Sequence, residues 1–204
     1  MGRAKYCVLS ERASRIAEKH LGQSCAVMQR LVTTHGHCPL AKREYRPFQT
    51  LATAIISQQL SAKAADTIER RVLDLVMSFT PIGFLEVPFD ALREAGLSSA
   101  KARYILELSK RVRDRRLDFD SMMHRSDEDV ISELTGIPGI GRWTAEMFLI
   151  FGLKRPNVLS LGDAGLQRAT RLLYGDSACL ESVGKAWRPY CSVASWYLWR
   201  HLDA

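Results

Sequence analysis

Apolar side chains recur at every third or fourth position through most of this chain, which is the period of a helix with one buried face. The segment from Phe48 to Ile56 shows the pattern clearly, with Phe48, Leu51 and Ile55 on one side. No alternation of apolar and polar residues is long enough to indicate a strand. The pattern therefore predicts an all-α protein with about ten helices.

Several of the predicted helices begin at a serine. Ser61, either Ser98 or Ser99, and Ser126 precede apolar-periodic segments, where a serine hydroxyl accepts from the first free N–H groups. Residues 113–125 are highly charged and lack the period, which predicts a loop. Pro189 interrupts the last segment, so that helix starts late or kinks there. The segments predicted as helical are 10–20, 24–34, 48–56, 61–76, 90–95, 98–112, 126–134, 144–151, 163–174 and 184–201.

A glycine-rich turn separates two of these segments. Gly136, Pro138, Gly139 and Gly141 fall within six residues, so the backbone turns tightly between two helices. A hairpin with few side chains allows another backbone to approach, and the unpaired N–H groups of the second helix attract an anion. On a basic protein this anion is a phosphate. The alternative is a purely structural turn between two core helices.

Composition narrows the choice of partner. The 204 residues suffice for one domain or for two lobes that share a core, and 47% of them are hydrophobic. The formal charge of +7 and the pI of about 9.3 suit a polyanion. We expect no membrane span and no secretion signal, because no long uncharged apolar segment occurs. The five scattered cysteines are typical of reduced thiols in a cytosolic protein.

Three motifs, in order, resemble one family. The segment Ile137-Pro138-Gly139-Ile140-Gly141-Arg142-Trp143-Thr144-Ala145 resembles the hairpin of the helix-hairpin-helix (HhH-GPD) DNA glycosylases. In that superfamily an aspartate follows some twenty residues later, where this chain has Asp163. Ser57-Gln58-Gln59-Leu60-Ser61 resembles a third element of the family. The matches cover about 48–199, and the 3-methyladenine DNA glycosylase II group is the branch most similar to them.

The resemblance implies an architecture and a cellular role. It implies a single HhH-GPD domain over 1–204, made of two helical lobes with a central cleft. The middle lobe would span about 48–142, and the second lobe about 1–47 plus 143–204. We expect a monomer that acts on duplex DNA containing damaged bases, in the cytoplasm and nucleoid or in a nucleus. Some relatives hold an iron–sulfur cluster with four cysteines, but only Cys179 and Cys191 lie near this C-terminus, so none is expected.

Asp163 has two interpretations. Its local sequence is typical of a helix N-cap, because it precedes Ala-Gly-Leu-Gln-Arg-Ala. The resemblance implies that Asp163 is the catalytic carboxylate. Cleavage of an N-glycosidic bond builds positive charge on the sugar, and an ionised carboxylate at a helix N-terminus would stabilise that charge.

The resemblance also implies an aromatic base pocket. Trp143 and Trp196 match positions where the alkylpurine enzymes line that pocket, and an electron-rich ring attracts a cationic alkylated purine. Met147 and Ala164 stand where better-known relatives have tyrosines, which leaves the range of bases open. Bifunctional relatives have a lysine in place of Trp143. Because an indole forms no Schiff base, we predict a monofunctional hydrolase without lyase activity. The alternative for these aromatic residues is ordinary core packing.

Gln58 and Gln59 lie where the family inserts a side chain into the gap left by an extruded base, and Gln59 is the predicted plug. The alternative is that both glutamines are ordinary exposed residues of a loop. The hairpin carbonyls of Thr135, Ile137 and Ile140 can, by the same resemblance, hold a monovalent cation. Two alternative functions stay open, a non-catalytic lesion-binding protein and a glycosylase for deaminated or oxidised bases. The other residues predicted to contact DNA are Gly139, Gly141, Arg142 and Thr144.

Overall fold

This computed structural model describes residues 8–203, apart from the side chain of Ala62, and the described part is helical with no strand. The all-α prediction is confirmed. None of the described helices combines the length and the apolar character that crossing a bilayer requires. The helices are α1 Glu11–Ser24, α2 Ala26–His35, α3 Pro47–Ser57, α4 Ala62–Leu75, α5 Pro81–Leu85, α6 Phe89–Glu94, α7 Ser99–Arg113, α8 Phe119–Met122, α9 Asp127–Thr135, α10 Arg142–Met147, α11 Ala164–Tyr174, α12 Leu180–Gly184 and α13 Cys191–Leu202.

The described residues form two compact units. The hairpin unit is Arg46–Phe148, and the terminal unit consists of the described residues up to Tyr45 together with those from Leu149 onward. In the hairpin unit α7 contacts α3, α5 and α6, while α10 contacts α3 and α9. In the terminal unit α13 contacts α1, α2 and α11. Each unit therefore packs around one central helix, α7 or α13.

Local capping chemistry sets several helix starts. The side chains of Ser61, Ser98, Ser126 and Asp163 each accept a hydrogen bond from a backbone N–H in the first turn of α4, α7, α9 and α11. The predicted caps are confirmed. Each of these helices therefore begins where its own sequence provides a cap.

The predicted loop over residues 113–125 is wrong in part. A short helix, α8, lies within it, capped by Asp118, whose Oδ1 accepts from the N–H groups of Asp120 and Ser121. Phe119 and Met122 are buried in the hairpin unit. The charges around these two residues hide their apolar spacing, and burial of two large side chains stabilises a single turn that local propensity would not.

Two further boundaries differ from prediction. The segment predicted as 144–151 begins at Arg142 and continues from Phe148 to Gly152 as a π-helix. The last predicted helix, 184–201, is a 3₁₀ turn over Lys185–Trp187 followed by α13, which begins after Pro189, and the short helix α12 precedes both. The late start predicted from Pro189 is confirmed, because proline lacks the N–H that an uninterrupted helix needs there.

Candidate nucleic-acid interface and carboxylate site

The hairpin between α9 and α10 is a compact turn stabilised by its own backbone. The Ile137 N–H donates to the carbonyl of Leu134 at 3.0 Å, and the Ile140 N–H donates to that of Ile137 at 3.1 Å. Gly139 lies in the left-handed region with φ +86°, and a Cβ there would overlap the ring of Tyr104. Only glycine satisfies both constraints, so Gly139 is required by the hairpin itself.

Gly141 has a different reason to be glycine. It is the N-cap of α10, it provides no side-chain cap, and a Cβ added to it meets nothing within 4 Å. The fold therefore imposes no demand for a missing side chain at Gly141. Because Gly141 has no side chain, a ligand can approach the first N–H groups of α10, and an anionic oxygen of that ligand can accept hydrogen bonds from them.

Gln58 is bonded to the hairpin. Its Nε2 donates to the carbonyl of Gly139 at 2.8 Å and to Oγ1 of Thr144 at 3.4 Å. Gln59 is exposed and adopts φ +57°, a left-handed conformation that is unfavourable for a residue with a Cβ. The structure thus brings three predicted DNA-binding residues together and leaves Gln59 presented at the surface. Their contact with DNA stays a prediction.

Lys101 supports the loop that carries these glutamines, and the sequence did not indicate this role. Its Nζ donates to the carbonyls of Ile56 and Gln58 at 2.8 and 2.7 Å, which closes the C-terminal end of α3. Burial of the ammonium group lowers the pKa of Lys101. No local signal marks this lysine, since the carbonyls lie more than forty residues earlier in the chain.

A hollow of about 790 Å³ lies against the hairpin. The backbones predicted to hold a monovalent cation, those of Thr135, Ile137 and Ile140, all line it. Monovalent cations are commonly coordinated by carbonyl oxygens, so these residues fit such an ion. The Ile137 carbonyl also accepts a hydrogen bond from the Ile140 N–H. Cation binding stays a prediction. The other lining residues used below are Gln58, Gln59, Lys101, Tyr104, Gly139, Gly141 and Thr144.

Arg142 is paired within the protein. Its guanidinium donates to both carboxylate oxygens of Glu128, at 2.7 and 3.2 Å, and to Oε1 of Glu146 at 3.0 Å. The hydrogen bonds from Arg142 hold the pKa of Glu128 below its usual value. The positive charge beside the hairpin is therefore shared with two acidic residues, which the sequence reasoning did not foresee.

Asp163 caps α11 and is held by two donors. Its Oδ1 accepts from the Leu166 N–H at 2.7 Å and from Nε1 of Trp199 at 3.0 Å. The residue is 7% exposed. Gly165 leaves room for this arrangement, because a Cβ there would lie 3.1 Å from Oδ1 and 3.3 Å from the Trp199 ring. The capping interpretation is confirmed, and it leaves a nearly buried carboxylate fixed at a helix N-terminus.

Trp199 is a contact of Asp163 that the sequence did not indicate. The resemblance singled out Trp196, one helical turn earlier on α13, yet the ring bonded to Asp163 is that of Trp199. Both rings line a surface hollow of about 600 Å³, together with Phe151, His35 and Arg200. Helical spacing places Trp196 and Trp199 on one face, so the sequence held the signal without showing which ring meets the carboxylate.

The other predicted pocket residues are divided between the units. Trp143 and Met147 belong to the hairpin unit; Trp143 is 42% exposed, which removes the core-packing alternative, and Met147 is buried. Ala164 and Trp196 belong to the terminal unit, where Ala164 is exposed and Trp196 is half-buried. Their roles toward a base stay predictions.

The segment His35 to Cys38 contains side chains of the types that bind metal ions, but its contacts are with other parts of the protein. Oε1 of Glu18 accepts from the Cys38 N–H at 2.9 Å and lies 2.7 Å from Nδ1 of His37. Burial raises the pKa of the Cys38 thiol to about 12. Within residues 8–203 no three His, Cys, Asp or Glu side chains group closely enough to hold a metal ion.

Comparison with known proteins identifies the family to which the hairpin and the fold belong. Residues 52–183 match the HhH-GPD superfamily of base excision DNA repair proteins. A Bacillus subtilis protein provisionally named DNA-3-methyladenine glycosylase YfjP is 33% identical over 182 residues, which are 83% of this chain and 63% of that protein. The chain thus spans less than two thirds of the length of that relative.

Two solved structures share the fold. A crystal structure of DNA-3-methyladenine glycosidase from Bacillus halodurans is 40% identical, with a TM-score of 0.77 over 90% of this chain and 88% of that one. The Schizosaccharomyces pombe 3-methyladenine DNA glycosylase, solved with abasic DNA, is 28% identical, with a TM-score of 0.78 over 93% and 97%. This chain belongs to the HhH-GPD superfamily of base excision DNA repair proteins, as its motifs predicted.

Proposed function

We propose that this chain is a monofunctional DNA glycosylase that hydrolyses the N-glycosidic bond of alkylated purines, such as 3-methyladenine and 7-methylguanine, in duplex DNA. The observation that carries the proposal is the Asp163 carboxylate, nearly buried and held by the Leu166 N–H and the Trp199 indole. The names of the relatives, which are those of 3-methyladenine glycosylases, support the same substrate class.

The chemistry follows from the charges. When the bond between C1′ and the purine nitrogen breaks, its electron pair leaves with the base and the sugar becomes cationic. An alkylated purine already carries positive charge, which makes it a better leaving group than a normal base. Asp163 stabilises the sugar cation, and because its two donors already orient it, little reorganisation is needed during the reaction. Water then bonds to C1′ and releases a proton.

Binding is assigned to the hairpin unit. The uncapped start of α10 and the accessible Gly141 would receive a backbone phosphate, and Gln59 would fill the gap after base extrusion. The net charge of +7 supports a polyanion partner. Binding through about four phosphates gives a plot of log binding constant against log salt concentration with a slope of about −3.6.

We propose that the protein acts as a monomer, without an iron–sulfur cluster, in the nucleoid or nucleus.

The absence of lyase activity rests on Trp143. This exposed indole stands where bifunctional relatives have a lysine, and it has no amine that could attack C1′. The proposed product is an intact strand with an abasic site. Strand cleavage should therefore appear only after treatment with hot alkali.

The test is base release from methylated duplex DNA. We expect the protein to release 3-methyladenine and 7-methylguanine, as identified by chromatography, and to leave the strand uncut until alkali is added. Strand cleavage by the protein alone would contradict the monofunctional assignment.

A panel of duplexes that contain deaminated or oxidised bases defines the substrate range, because Met147 and Ala164 stand where better-known relatives have tyrosines. Tight binding to an abasic-site analogue, with no base released from any duplex, would instead indicate a non-catalytic lesion-binding protein.

A further inference from the structure

The C-terminal end of α3 is closed by a side chain from α7. The last carbonyl groups of a helix have no partner within the helix, and a cation is favourable there. Lys101 meets both needs, because its ammonium donates to the carbonyls of Ile56 and Gln58. These two carbonyls lie on either side of Ser57, where α3 ends. The lysine thus fixes the backbone that leads directly into Gln59.

The same loop is fixed from the hairpin. The Gln58 amide donates to the carbonyl of Gly139, and Tyr104 packs against Gly139 so closely that no Cβ fits there. Lys101 and Tyr104 are three residues apart and therefore share a face of α7. One face of one helix consequently contacts both the hairpin and the loop that carries Gln59.

Gln59 is the residue whose conformation depends most on these contacts. It is exposed, it precedes Leu60 in a turn, and its φ of +57° is unfavourable for any residue with a Cβ. Without fixed neighbours the loop would relax to other conformations. DNA binding would then have to order the loop again, and the conformational entropy lost in doing so would weaken binding.

We infer that Lys101 is a positioning residue, which holds the Gln58–Gln59 loop in the conformation that fills the gap left by an extruded base. The inference rests on the proposed function, because it concerns the plug of that reaction. Lys101 acts through Gln59 and touches neither the base nor the sugar.

The first measurement is discrimination, the ratio of the Kd for undamaged duplex to the Kd for a duplex with an abasic-site analogue. Lys101→Met keeps the aliphatic stem and removes the donors, so this ratio should fall about tenfold, as expected for a misplaced contact group. The Kd for undamaged duplex should change less than about twofold, since the hairpin is left in place. The matched control is Lys110→Met, an exposed lysine on the same helix, which should leave both values unchanged.

A double-mutant cycle separates positioning from general stability. If Lys101 works through the plug, Lys101→Met combined with Gln59→Ala should show the same ratio as Gln59→Ala alone. A further tenfold loss in the double variant would overturn the inference, and so would an unchanged ratio in Lys101→Met. Circular dichroism verifies folding, and Lys101→Gln replaces Lys101→Met if that variant is unfolded.

The outcome is independent of whether the protein releases bases. The ratio is measured on an abasic analogue, which contains no base to release, so it reports on the plug and not on the chemistry. A wild-type protein that discriminates abasic duplex without releasing any methylated base would contradict the proposed hydrolysis. The loss of discrimination in Lys101→Met would still support the positioning role.

Discussion

The helices α10 and α11 both begin in glycine-containing turns, yet their N-termini are occupied in opposite ways. The start of α10 has Gly141 as its cap, and this glycine provides no side chain to accept from the N–H groups of the first turn. The start of α11 carries Asp163, whose carboxylate accepts the Leu166 N–H. Each N-terminus has the positive end of a helix dipole and N–H groups that have no acceptor within the helix. The N-terminus of α10 is open to an anion of a ligand, whereas the N-terminus of α11 is occupied by the carboxylate of Asp163.

The difference shows how one piece of backbone physics supports two tasks. An open N-terminus binds an anion without regard to its identity, which suits the repeating phosphates of DNA. A capped N-terminus fixes one carboxylate in place, which suits a reaction that generates a cation. Variants that exchange or remove these features separate the two tasks.

The largest effect is expected for Asp163→Asn. Asparagine caps a helix as well as aspartate does, so the free energy of unfolding should stay within about 0.5 kcal/mol of wild type. The charge is lost, and single-turnover base release should fall about 1,000-fold. Asp163→Ala provides the control, because it should lose the same activity and also about 1 kcal/mol of stability. Release at the wild-type rate by the asparagine variant would contradict a catalytic carboxylate.

Trp199→Phe tests the second donor to that carboxylate. Phenylalanine keeps a ring against Phe151 but removes the N–H that reaches Oδ1 of Asp163. A hydrogen bond to a charged group contributes about 2 kcal/mol, so single-turnover release should fall about 30-fold with little change in duplex affinity. In an Asp163→Asn background the same change should have a much smaller effect. Equal losses in both backgrounds would show that Trp199 acts independently of the carboxylate.

The hairpin glycines form a matched pair. Gly141→Ala adds a methyl group where the protein has open space, so stability should fall by no more than about 1 kcal/mol, the cost of alanine at an N-cap, while duplex affinity falls about tenfold. Gly139→Ala forces a side chain into a left-handed position against Tyr104 and should cost about 1–3 kcal/mol of stability. Thermal unfolding and fluorescence anisotropy with a labelled duplex measure both. Normal DNA affinity in Gly141→Ala would exclude close approach of DNA at α10.

The smallest effect is expected for Glu128→Gln. Its two hydrogen bonds from Arg142 lie at the surface, so their loss should leave the unfolding transition nearly unchanged. The guanidinium would become available for one more phosphate, and the log–log salt slope should become steeper by about 0.9. Titration at several salt concentrations measures this slope. A shallower slope would mean that the ion pair orients Arg142 toward DNA instead of restraining it.

The sequence by itself determined what depends on near neighbours. Helical periodicity predicted the all-α class, and capping predicted the starts at Ser61, Ser126 and Asp163, because a cap bonds to an N–H only three residues away. Three short motifs, taken in their order along the chain, led to the correct family by resemblance. Where charges concealed a short apolar spacing, as at Phe119 and Met122, the local pattern failed.

Only the tertiary structure decided which side chains meet across the chain. Trp199 reaches Asp163 over 36 residues, and Lys101 reaches the carbonyls of Ile56 and Gln58 over 45 and 43. Nothing in the local sequence distinguishes Trp199 from Trp196, or Lys101 from the other lysines of α7. Such contacts depend on how helices pack, because packing fixes which residue of a face meets a partner, and that choice is made by the whole core.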